Sequence, residues 1–434
     1  MKLTADGKAY KIWQAEKKRQ LEGLDLIPSE NYASEAVLEA LGSIFTNKYS
    51  EGYPGHRYYG GNFNIDEAEK LAVSRSRRLF KTDYHINVQP YSGSPANIAV
   101  MLALLNFGDK VMGMALDQGG HLTHGHPVSF SGQAYRFVHY GVNKKTERLD
   151  YGEIAALAEK TKPKMIICGA TAYPREIDFK EFAKIAKKVK AILMADISHI
   201  AGLVAAGVHP SPFGYAEVVT TTTHKTLRGP RGAVIFCKRK YAREIDRAVF
   251  PGLQGGPHDN VTLAQAVAFG EALQPSFNKY ARQIVKNARA LADELARGGP
   301  AHRPVPRSFS EVGSLGAGGL RLISGGTDNH LLLADVTALK ISGKTAQNWL
   351  EAANLVVNKN TIPFDKRTPA DPSGIRLGTP ACTTRGMRER EMKKIAGFIL
   401  RALHSSGNPS ELKKIQKEVI QFSKKFKVPG IKNA

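Results

Sequence analysis

The sequence predicts an α/β protein in which a large domain is built around a mostly parallel sheet and a smaller α+β domain follows it. From Leu71 to Cys237, short apolar runs of strand length alternate with segments of helical periodicity. This alternation is typical of a parallel sheet covered by helices. After Pro275 a long amphipathic stretch is followed by fewer strand-like runs, which is typical of an α+β domain.

The individual elements follow from these patterns in chain order. In the large domain, apolar runs predict strands over residues 111–116, 165–168, 192–196, 218–222 and 233–237. Helical periodicity predicts helices over residues 66–80, 95–105 and 179–189. In the C-terminal part we expect a helix over 276–297, a strand over 331–336, a helix over 344–353 and helical structure from Arg385 onward.

Length and composition set the domain organisation. Hydrophobic residues make up 42% of the 434 residues and charged residues 23%, which excludes a disordered, collagen-like or disulfide-scaffold protein. We place an N-terminal arm at residues 1–24, the large domain at 25–275 and the small domain at 276–434. Residues 298–319 are rich in proline, glycine and serine, so they predict a loop insertion in the small domain.

The cysteines and the N-terminal segment predict a cytoplasmic protein. Cys168, Cys237 and Cys382 are widely spaced and give neither a disulfide framework nor a zinc pattern. The first two stand in apolar runs, where we expect buried thiols. Residues 1–20 are polar and lysine-rich, and no apolar stretch reaches the roughly 20 residues that cross a bilayer.

The chain is strongly basic. Its 62 Lys and Arg against 39 Asp and Glu give a formal charge of +23, and residues 413–432 hold seven lysines. Such a charge is compatible with binding of nucleic acid, with an acidic small molecule or with a solvated basic surface, and these alternatives stay open at this point. No zinc-finger spacing and no aromatic ribonucleoprotein motif favours the first of them.

A lysine and an aspartate carry the most informative chemistry. Lys225 follows a β-branched strand and precedes a glycine-rich loop, which places it well to form an imine with an aldehyde cofactor. Asp196 closes an apolar strand, where a carboxylate can hold a pyridine nitrogen protonated. The alternatives are a surface lysine and an aspartate that caps the next element or pairs with a structural arginine.

The segment 91–97 predicts a phosphate site. Ser94 suits the N-cap of a helix and Pro95 suits its first position. The N-terminus of a helix directs unpaired N–H groups and a positive dipole at an anion. An ordinary capped helix without a ligand is the alternative.

Two further polar segments are candidates for binding. Residues 119–126 hold three histidines, which predict either a metal site or an imidazole stacked on a flat cofactor. A metal-dependent hydrolase that uses His121, His124 and His126 is therefore an open alternative. Residues 49–61 hold four tyrosines around Glu51 and predict a binding loop with acid/base capacity, or else a packed surface loop.

Together these segments resemble the serine hydroxymethyltransferase family. Motifs in the family's order cover nearly the whole chain: LIPSENY at 26–32, the loop at 49–61, SGS at 92–94, residues 119–125, DISHIAGL at 196–203, residues 220–232, FPGLQGGP at 250–257, residues 324–330 and NKNT at 358–361. The resemblance implies a type I pyridoxal phosphate fold, similar to that of aspartate aminotransferase. It also implies a homodimer with shared active sites.

The resemblance implies a set of cofactor residues. Lys225 would carry pyridoxal 5′-phosphate covalently, Asp196 would pair with the pyridine nitrogen and His121 would stack on the ring. The remaining contacts would be Thr171 and His199 near the ring oxygen, Ser92, Gly93, Ser94 and His224 at the phosphate, and Tyr49 and Gly256 from the partner subunit.

The resemblance also implies the reaction, a reversible conversion of L-serine and tetrahydrofolate to glycine and 5,10-methylenetetrahydrofolate that feeds one-carbon metabolism. Arg376 would bind the amino-acid carboxylate through its bidentate fork. Ser29, Tyr59 and His199 would assist it. The catalytic residues would be Lys225, Glu51, Tyr59 and His224, and the folate co-substrate would contact Glu51, Leu116, Gly120, Leu122 and Asn360. We expect no metal ion.

Some positions depart from the family pattern. Ser198 stands where the family commonly has alanine, Asp117 and Gln118 precede the double glycine, and residues 368–372 differ from the usual folate-side segment. The last difference keeps open a folate-independent aldolase that acts on β-hydroxy amino acids. The basic charge keeps open an RNA-binding side-activity.

Overall fold

The computed structural model of the protein describes residues 3–298 and 318–431. Two compact units are formed, one by Ala33–Arg282 and the other by Met1–Tyr32 together with Gln283–Ala434. We call them the central unit and the terminal unit. The predicted bounds of the arm and the two domains stay a prediction, and the loop insertion predicted at 298–319 lies, apart from its ends, outside the described residues.

The helices and strands are as follows. The strands are β1 (Leu24–Asp25), β2 (Gly52–Tyr53), β3 (His56–Arg57), β4 (His85–Asn87), β5 (Lys110–Met114), β6 (Arg136–Tyr140), β7 (Met165–Cys168), β8 (Ile192–Asp196), β9 (Val218–Thr222), β10 (Ala233–Cys237), β11 (Arg321–Leu322), β12 (Leu331–Asp335), β13 (Leu355–Val356), β14 (Asn358–Asn360) and β15 (Gly374–Gly378). The helices are α1 (Gly7–Glu22), α2 (Glu35–Leu41), α3 (Phe63–Phe80), α4 (Gly93–Leu104), α5 (Phe130–Ala134), α6 (Tyr151–Thr161), α7 (Phe179–Lys188), α8 (Ala201–Ala205), α9 (Ala242–Arg247), α10 (Asp259–Ala272), α11 (Pro275–Arg297), α12 (Gly343–Ala352), α13 (Pro380–Thr384), α14 (Glu389–His404) and α15 (Pro409–Ser423).

The central unit, all of whose residues are described, is built on a seven-stranded sheet in the order β4-β10-β9-β8-β7-β5-β6. Strands β5 to β9 run parallel, and β10 is antiparallel to both of its neighbours. The sheet is therefore mostly parallel, as predicted. Because its middle strands run parallel, the carboxyl ends of β5, β7, β8 and β9 meet at one edge, where ligand sites of such sheets commonly lie.

The middle strands are buried on both faces, which explains why their sequences are mainly apolar or β-branched. Every residue of β7, β9 and β10 is buried. Helix α7 covers the sheet with an apolar face formed by Phe179, Phe182 and Ile185. It begins after Asp178, whose side chain accepts hydrogen bonds from two N–H groups of the first turn.

The terminal unit contains an antiparallel sheet, in which described residues form the order β11-β12-β15-β14. Its core joins strands β12 and β15 to the apolar faces of α12, α14 and α15. The N-terminal residues belong to it because β1 pairs in parallel with β13, with Leu24 opposite Leu355. Among the described residues, no helix has the combined length and apolarity that a membrane span requires.

Candidate functional site

The carboxyl ends of β8 and β9 hold the lysine and the aspartate that the sequence singled out. Asp196 is the last residue of β8, and Lys225 follows β9 by three residues. The ammonium group of Lys225 donates to the hydroxyl of Thr222, with Nζ and Oγ1 3.0 Å apart. The hydroxyl of Thr222 in turn donates to the carbonyl of Ser198, two residues after Asp196, over 3.3 Å.

Asp196 is a buried carboxylate with hydrogen bonds to both oxygens. Its Oδ2 accepts from Asn97 Nδ2 at 2.8 Å and from His124 Nε2 at 3.2 Å. Its Oδ1 accepts from the hydroxyl of Ser198 at 2.6 Å and from the backbone N–H of that serine at 3.1 Å. Burial on its own raises the pKa of Asp196, but the interactions with His124, His121 and Ser198 outweigh it and hold the pKa below its usual value.

Asn97 is a site residue that the sequence reasoning missed. Its amide group bonds Asp196, the hydroxyl of Thr123 at 2.9 Å and the hydroxyl of Thr220 at 2.7 Å. It thereby joins α4 to β8, β9 and the turn after β5. The available signal was a buried asparagine in the otherwise apolar helix α4, since a buried amide requires polar partners.

The turn after β5 fixes the ring of His121. The side chain of His121 accepts from the backbone N–H of Thr123 through Nδ1 at 3.2 Å, and the hydroxyl of Thr123 lies 2.8 Å from the same nitrogen. Gly120 lies so close to β5 that an added Cβ would stand 2.1 Å from the carbonyl oxygen of Met114. Leu116 is half-buried, whereas Leu122 is 46% exposed.

The N-terminus of α4 lies beside the carboxyl end of β9. The helix begins at Gly93 with Ser92 as its N-cap, so the predicted N-cap at Ser94 is wrong by two residues. The helix starts earlier in the chain than the Ser-Pro pattern indicated, directly after the extended backbone of Ser92. Within the described chain the Ser92 side chain makes no capping hydrogen bond. A Cβ on Gly93 would stand 2.8 Å from Cγ2 of Thr222, so only glycine fits this contact.

His224 is held in a neutral form next to Lys225. Burial, together with the charges of Lys225 and Arg231, lowers the pKa of His224 to about 3. Its Nδ1 is buried and has no hydrogen-bond partner among residues 3–298 and 318–431. A buried polar atom of this kind is expected to have a partner in the functional protein.

The segments after β7 and β8 approach the same edge of the sheet. The backbone N–H of Thr171 donates to the carbonyl of Gly119 over 2.8 Å, which joins the loop after β7 to the turn after β5. His199 is 4% exposed, and its carbonyl accepts from the hydroxyl of Thr226 over 3.0 Å.

The loop at 49–61 is held by a buried arginine. Arg57 forms ion pairs with Asp66 (2.8 Å) and Glu69 (2.6 Å), and it donates to the carbonyls of Ser50 and Gly52. Removal of one partner from such a buried network typically costs about 3–5 kcal/mol. The network therefore gives the loop a defined conformation, with the short β2–β3 hairpin at its centre.

The side chains that the sequence singled out in this loop lie close to Gly255 and Gly256. The rings of Tyr49 and Tyr59 pack edge to face with centroids 5.2 Å apart, and they are 57% and 49% exposed. A Cβ on Gly256 would stand 3.5 Å from the Tyr49 ring, and a Cβ on Gly255 would stand 3.3 Å from Oε1 of Glu51.

The terminal unit holds the remaining predicted residues. Arg376 lies in β15 and is 7% exposed, and burial lowers its pKa to about 10. Its Nε donates to Oδ1 of Asn358 over 3.1 Å, on the strand that ends at Asn360. The segment before Ser29 lies against the end of β15, because the N–H of Gly378 donates to the carbonyl of Leu26 over 2.7 Å.

The sequence matches the family model described as serine hydroxymethyltransferase over residues 3–301 and 307–399. A curated serine hydroxymethyltransferase of Acidothermus cellulolyticus is 53% identical over 424 residues, which cover 96% of this chain and 94% of that protein. The chain belongs to the serine hydroxymethyltransferase family. This confirms the predicted family, its type I pyridoxal phosphate fold and its enzyme class, a pyridoxal phosphate-dependent one-carbon transferase.

The residues of the central unit fit the phosphate group that a serine hydroxymethyltransferase binds with its cofactor. Within the part of the chain that the structure describes, the N-cap residue of α4 provides no side-chain cap, so N–H groups of the first turn can donate to an anion. The orphaned Nδ1 of His224 can donate to a phosphate oxygen as well. Asp196, which is held ionised, suits a protonated ring nitrogen.

The histidines of the turn after β5 contact other residues of the site. Within the described ranges, no group of three or more His, Cys, Asp or Glu side chains is arranged to hold a metal ion. His124 instead contacts Asp196, and the backbone N–H of His121 donates to its other ring nitrogen over 3.3 Å.

Proposed function

We propose that this chain converts L-serine and tetrahydrofolate reversibly to glycine and 5,10-methylenetetrahydrofolate. One observation carries the proposal: Lys225 and Asp196 lie at the carboxyl ends of adjacent parallel strands and are joined through Thr222 and Ser198. Membership of the serine hydroxymethyltransferase family supports the same reaction. Pyridoxal phosphate, when bound, supplies an electron sink for the charge that develops at the α-carbon of the amino acid.

Cofactor binding is assigned to residues of the central unit. Lys225 is the proposed covalent attachment residue and Asp196 the partner of the ring nitrogen, since its four hydrogen bonds from described residues keep it ionised. His121, fixed by Thr123, would stack on the ring. The other proposed contacts are Thr171 and His199 near the ring oxygen, and Ser92, Gly93, Ser94 and His224 at the phosphate.

Amino-acid binding is assigned to Arg376, with help from Ser29, Tyr59 and His199. Burial lowers the pKa of this guanidinium because it destabilises the charged form. A bound carboxylate would stabilise that charged form again, which favours binding of the amino acid. A guanidinium can also bind both carboxylate oxygens at once, which fixes the orientation of the substrate.

Proton transfer near the serine hydroxyl is assigned to Glu51, with Tyr59 beside it on the same loop. A carboxylate can accept the hydroxyl proton and return it in the reverse direction. The proposed folate contacts are Glu51, Leu116, Gly120, Leu122 and Asn360. The close approach of Gly120 to Met114 leaves no room for a side chain between the turn and β5.

We also propose a homodimer in which Tyr49 and Gly256 reach the partner's cofactor. Supporting this, three apolar side chains in the segment 44–63 are strongly exposed, with Ile44 81%, Tyr58 75% and Phe63 72% accessible. A segment with several exposed apolar side chains suits an association surface. A cytoplasmic location is part of the same proposal, since Cys168, Cys237 and Cys382 are buried free thiols that suit a reducing compartment.

The decisive test combines a spectrum with a folate-dependent assay. Wild-type protein loaded with pyridoxal phosphate should absorb visible light and should cleave serine faster when tetrahydrofolate is added. Lys225→Ala should lose this absorbance and reduce turnover by several orders of magnitude, because the nucleophile that holds the cofactor is gone. Serine cleavage that tetrahydrofolate leaves unchanged would contradict the proposed transfer.

A further inference from the structure

Ser198 occupies an unusual place between the proposed cofactor residues. Its hydroxyl donates to Oδ1 of Asp196 over 2.6 Å and accepts from the backbone N–H of Thr222 over 3.1 Å. Asp196 ends β8 and Thr222 ends β9, so this single hydroxyl links the carboxyl ends of two adjacent strands.

The link continues to the lysine with a fixed direction. The single proton of the Thr222 hydroxyl is donated to the carbonyl of Ser198, so its oxygen accepts from Nζ of Lys225. Ser198 therefore contacts Asp196 with its hydroxyl and Thr222 with both its hydroxyl and its carbonyl. A change in the orientation of Ser198 alters both connections together.

Removal of this hydroxyl would change only a few hydrogen bonds among described residues. The backbone N–H of Ser198 also donates to Oδ1 of Asp196, at 3.1 Å, and would remain after truncation to alanine. Two things would be lost: the shorter of the two bonds to Oδ1, and the acceptor of the Thr222 N–H. Both losses fall at the site rather than in the apolar core of the central unit.

We propose that Ser198 is a positioning residue, which holds the carboxylate of Asp196 in one orientation and couples it through Thr222 to Lys225. The inference rests on the proposed function, since it concerns the residue assigned to the ring nitrogen. Asn97 and His124 hold Oδ2 of Asp196, and Ser198 holds Oδ1. If the Ser198 hydroxyl is removed, Oδ1 loses the shorter of its two bonds from described residues and keeps the backbone N–H of residue 198, while Oδ2 keeps Asn97 and His124.

The test is the affinity of the cofactor-free protein for pyridoxal phosphate, measured by fluorescence titration. Loss of a hydrogen bond to a charged group should raise the dissociation constant of Ser198→Ala about tenfold. Ser198→Cys keeps a weak donor and should lie between alanine and wild type. In the loaded enzyme, kcat should fall in the same order while KM for serine stays unchanged, because the residues proposed to bind the amino acid do not include Ser198.

Ser76→Ala is the matched control. Ser76 also lies in the central unit and is fully buried, whereas Ser198 is half-buried, and the Ser76 hydroxyl donates to the carbonyl of Val73 inside α3. It should leave the cofactor affinity at the wild-type value. In the cofactor-free protein, hydrogen exchange at the Thr222 amide should accelerate in Ser198→Ala and not in Ser76→Ala, since only the first removes an acceptor of that amide.

The outcomes separate this inference from the proposed function. If wild type binds pyridoxal phosphate and both Ser198 variants bind it equally well, the positioning role is wrong and the proposed function stands. If wild type does not bind pyridoxal phosphate, the proposed function itself is wrong. If Ser198→Ala does not fold, Ser198→Cys decides: weakened binding supports the role, and wild-type binding contradicts it.

Discussion

His224 is a residue whose surroundings favour its neutral form. Burial and the nearby charges of Lys225 and Arg231 lower its pKa to about 3, against about 6.5 in the unfolded chain. Between these values the unfolded state binds a proton that the folded state does not. The contribution of His224 to the free energy of unfolding is therefore at its maximum above about pH 6.5, and it decreases as the pH falls toward 3.

This difference predicts a pH effect that His224→Asn removes. One such proton contributes about 1.4 kcal/mol of unfolding free energy per pH unit in the affected range. Urea unfolding of the cofactor-free protein at about pH 7, 6 and 5 should therefore show a steeper loss of stability for wild type than for the variant. Equal slopes would mean that the pKa of His224 is not lowered in the folded protein.

The sequence indicated which individual residues are candidates for the site, but it did not indicate their hydrogen-bond partners. Lys225 and Asp196 stood out because a lysine after a strand and a carboxylate that closes an apolar strand are chemically unusual. Asn97 and Ser198 bond the same carboxylate from before and after it in the chain, with Asn97 on α4. An asparagine in an apolar helix indicates a need for polar partners, but the local pattern of neither residue identifies Asp196 as that partner, since the contact exists only after α4 packs against β8 and β9.

At the scale of elements, the start of α4 depends on one glycine. A Cβ at Gly93 would stand 2.8 Å from Cγ2 of Thr222, which is the end of a β-branched side chain in a buried strand. Gly93→Ala should therefore destabilise the protein by about 1–3 kcal/mol and weaken pyridoxal phosphate binding, because the first turn of α4 must move. Thermal melting and a cofactor titration measure the two effects.

Gly397 offers the matched control for that substitution. It lies inside α14, and apart from the neighbouring residues and backbone of that helix no described atom lies within 4 Å of the position its Cβ would take. Gly397→Ala should raise stability by about 0.5–1 kcal/mol through its higher helix propensity and leave cofactor binding unchanged. A Gly93→Ala protein that melts and binds like this control would contradict the close contact.

Buried strands were predicted better than exposed ones. The bounds of β7, β8, β9 and β10 agree with the sequence prediction, since strands buried on both faces consist mainly of apolar and β-branched residues. Strand β5 ends at Met114 rather than at residue 116, because Leu116 begins a short helical turn. Strand β6 was missed: it lies at the edge of the sheet, where mixed polar residues such as Arg136 and His139 are tolerated.

At the scale of the whole molecule, the proposed sharing of sites between subunits can be tested by mixing two inactive variants. If Tyr49 acts in the partner's site, a hybrid dimer of Lys225→Ala and Tyr49→Ala has one site with both defects and one intact site. Random reassociation should then recover about a quarter of the wild-type activity, since half of the dimers are hybrids with one working site.

The same mixture gives the opposite result if Tyr49 acts within its own chain. Each site of the hybrid would then carry one defect, and mixing would recover nothing beyond the activity of the parents. Light scattering of the mixture shows whether dimers form at all. Wild-type protein that stays monomeric in that measurement would contradict the homodimer.

The net charge of +23 made nucleic-acid binding an alternative function at the level of the sequence, and the fold does not require that function. Part of the basic surface is locally compensated, as where Arg401 pairs with Glu411 and Glu418 on α15. The proposed cofactor, amino-acid substrate and folate are further acidic ligands that basic residues can bind. RNA binding that disappears at moderate salt would assign the rest of the charge to nonspecific attraction.

The sequence by itself determined the fold class, the family, the enzyme class and the identities of the candidate cofactor residues, because these follow from local patterns and from motifs in order along the chain. Only the tertiary structure decided that α4 begins at Gly93, that Asn97 and His124 share Oδ2 of Asp196, and that Ser198 joins this carboxylate to Thr222. The physical reason is that a hydrogen bond is set by distance and direction between atoms, and residues far apart in the chain acquire these only when the sheet and its helices have packed.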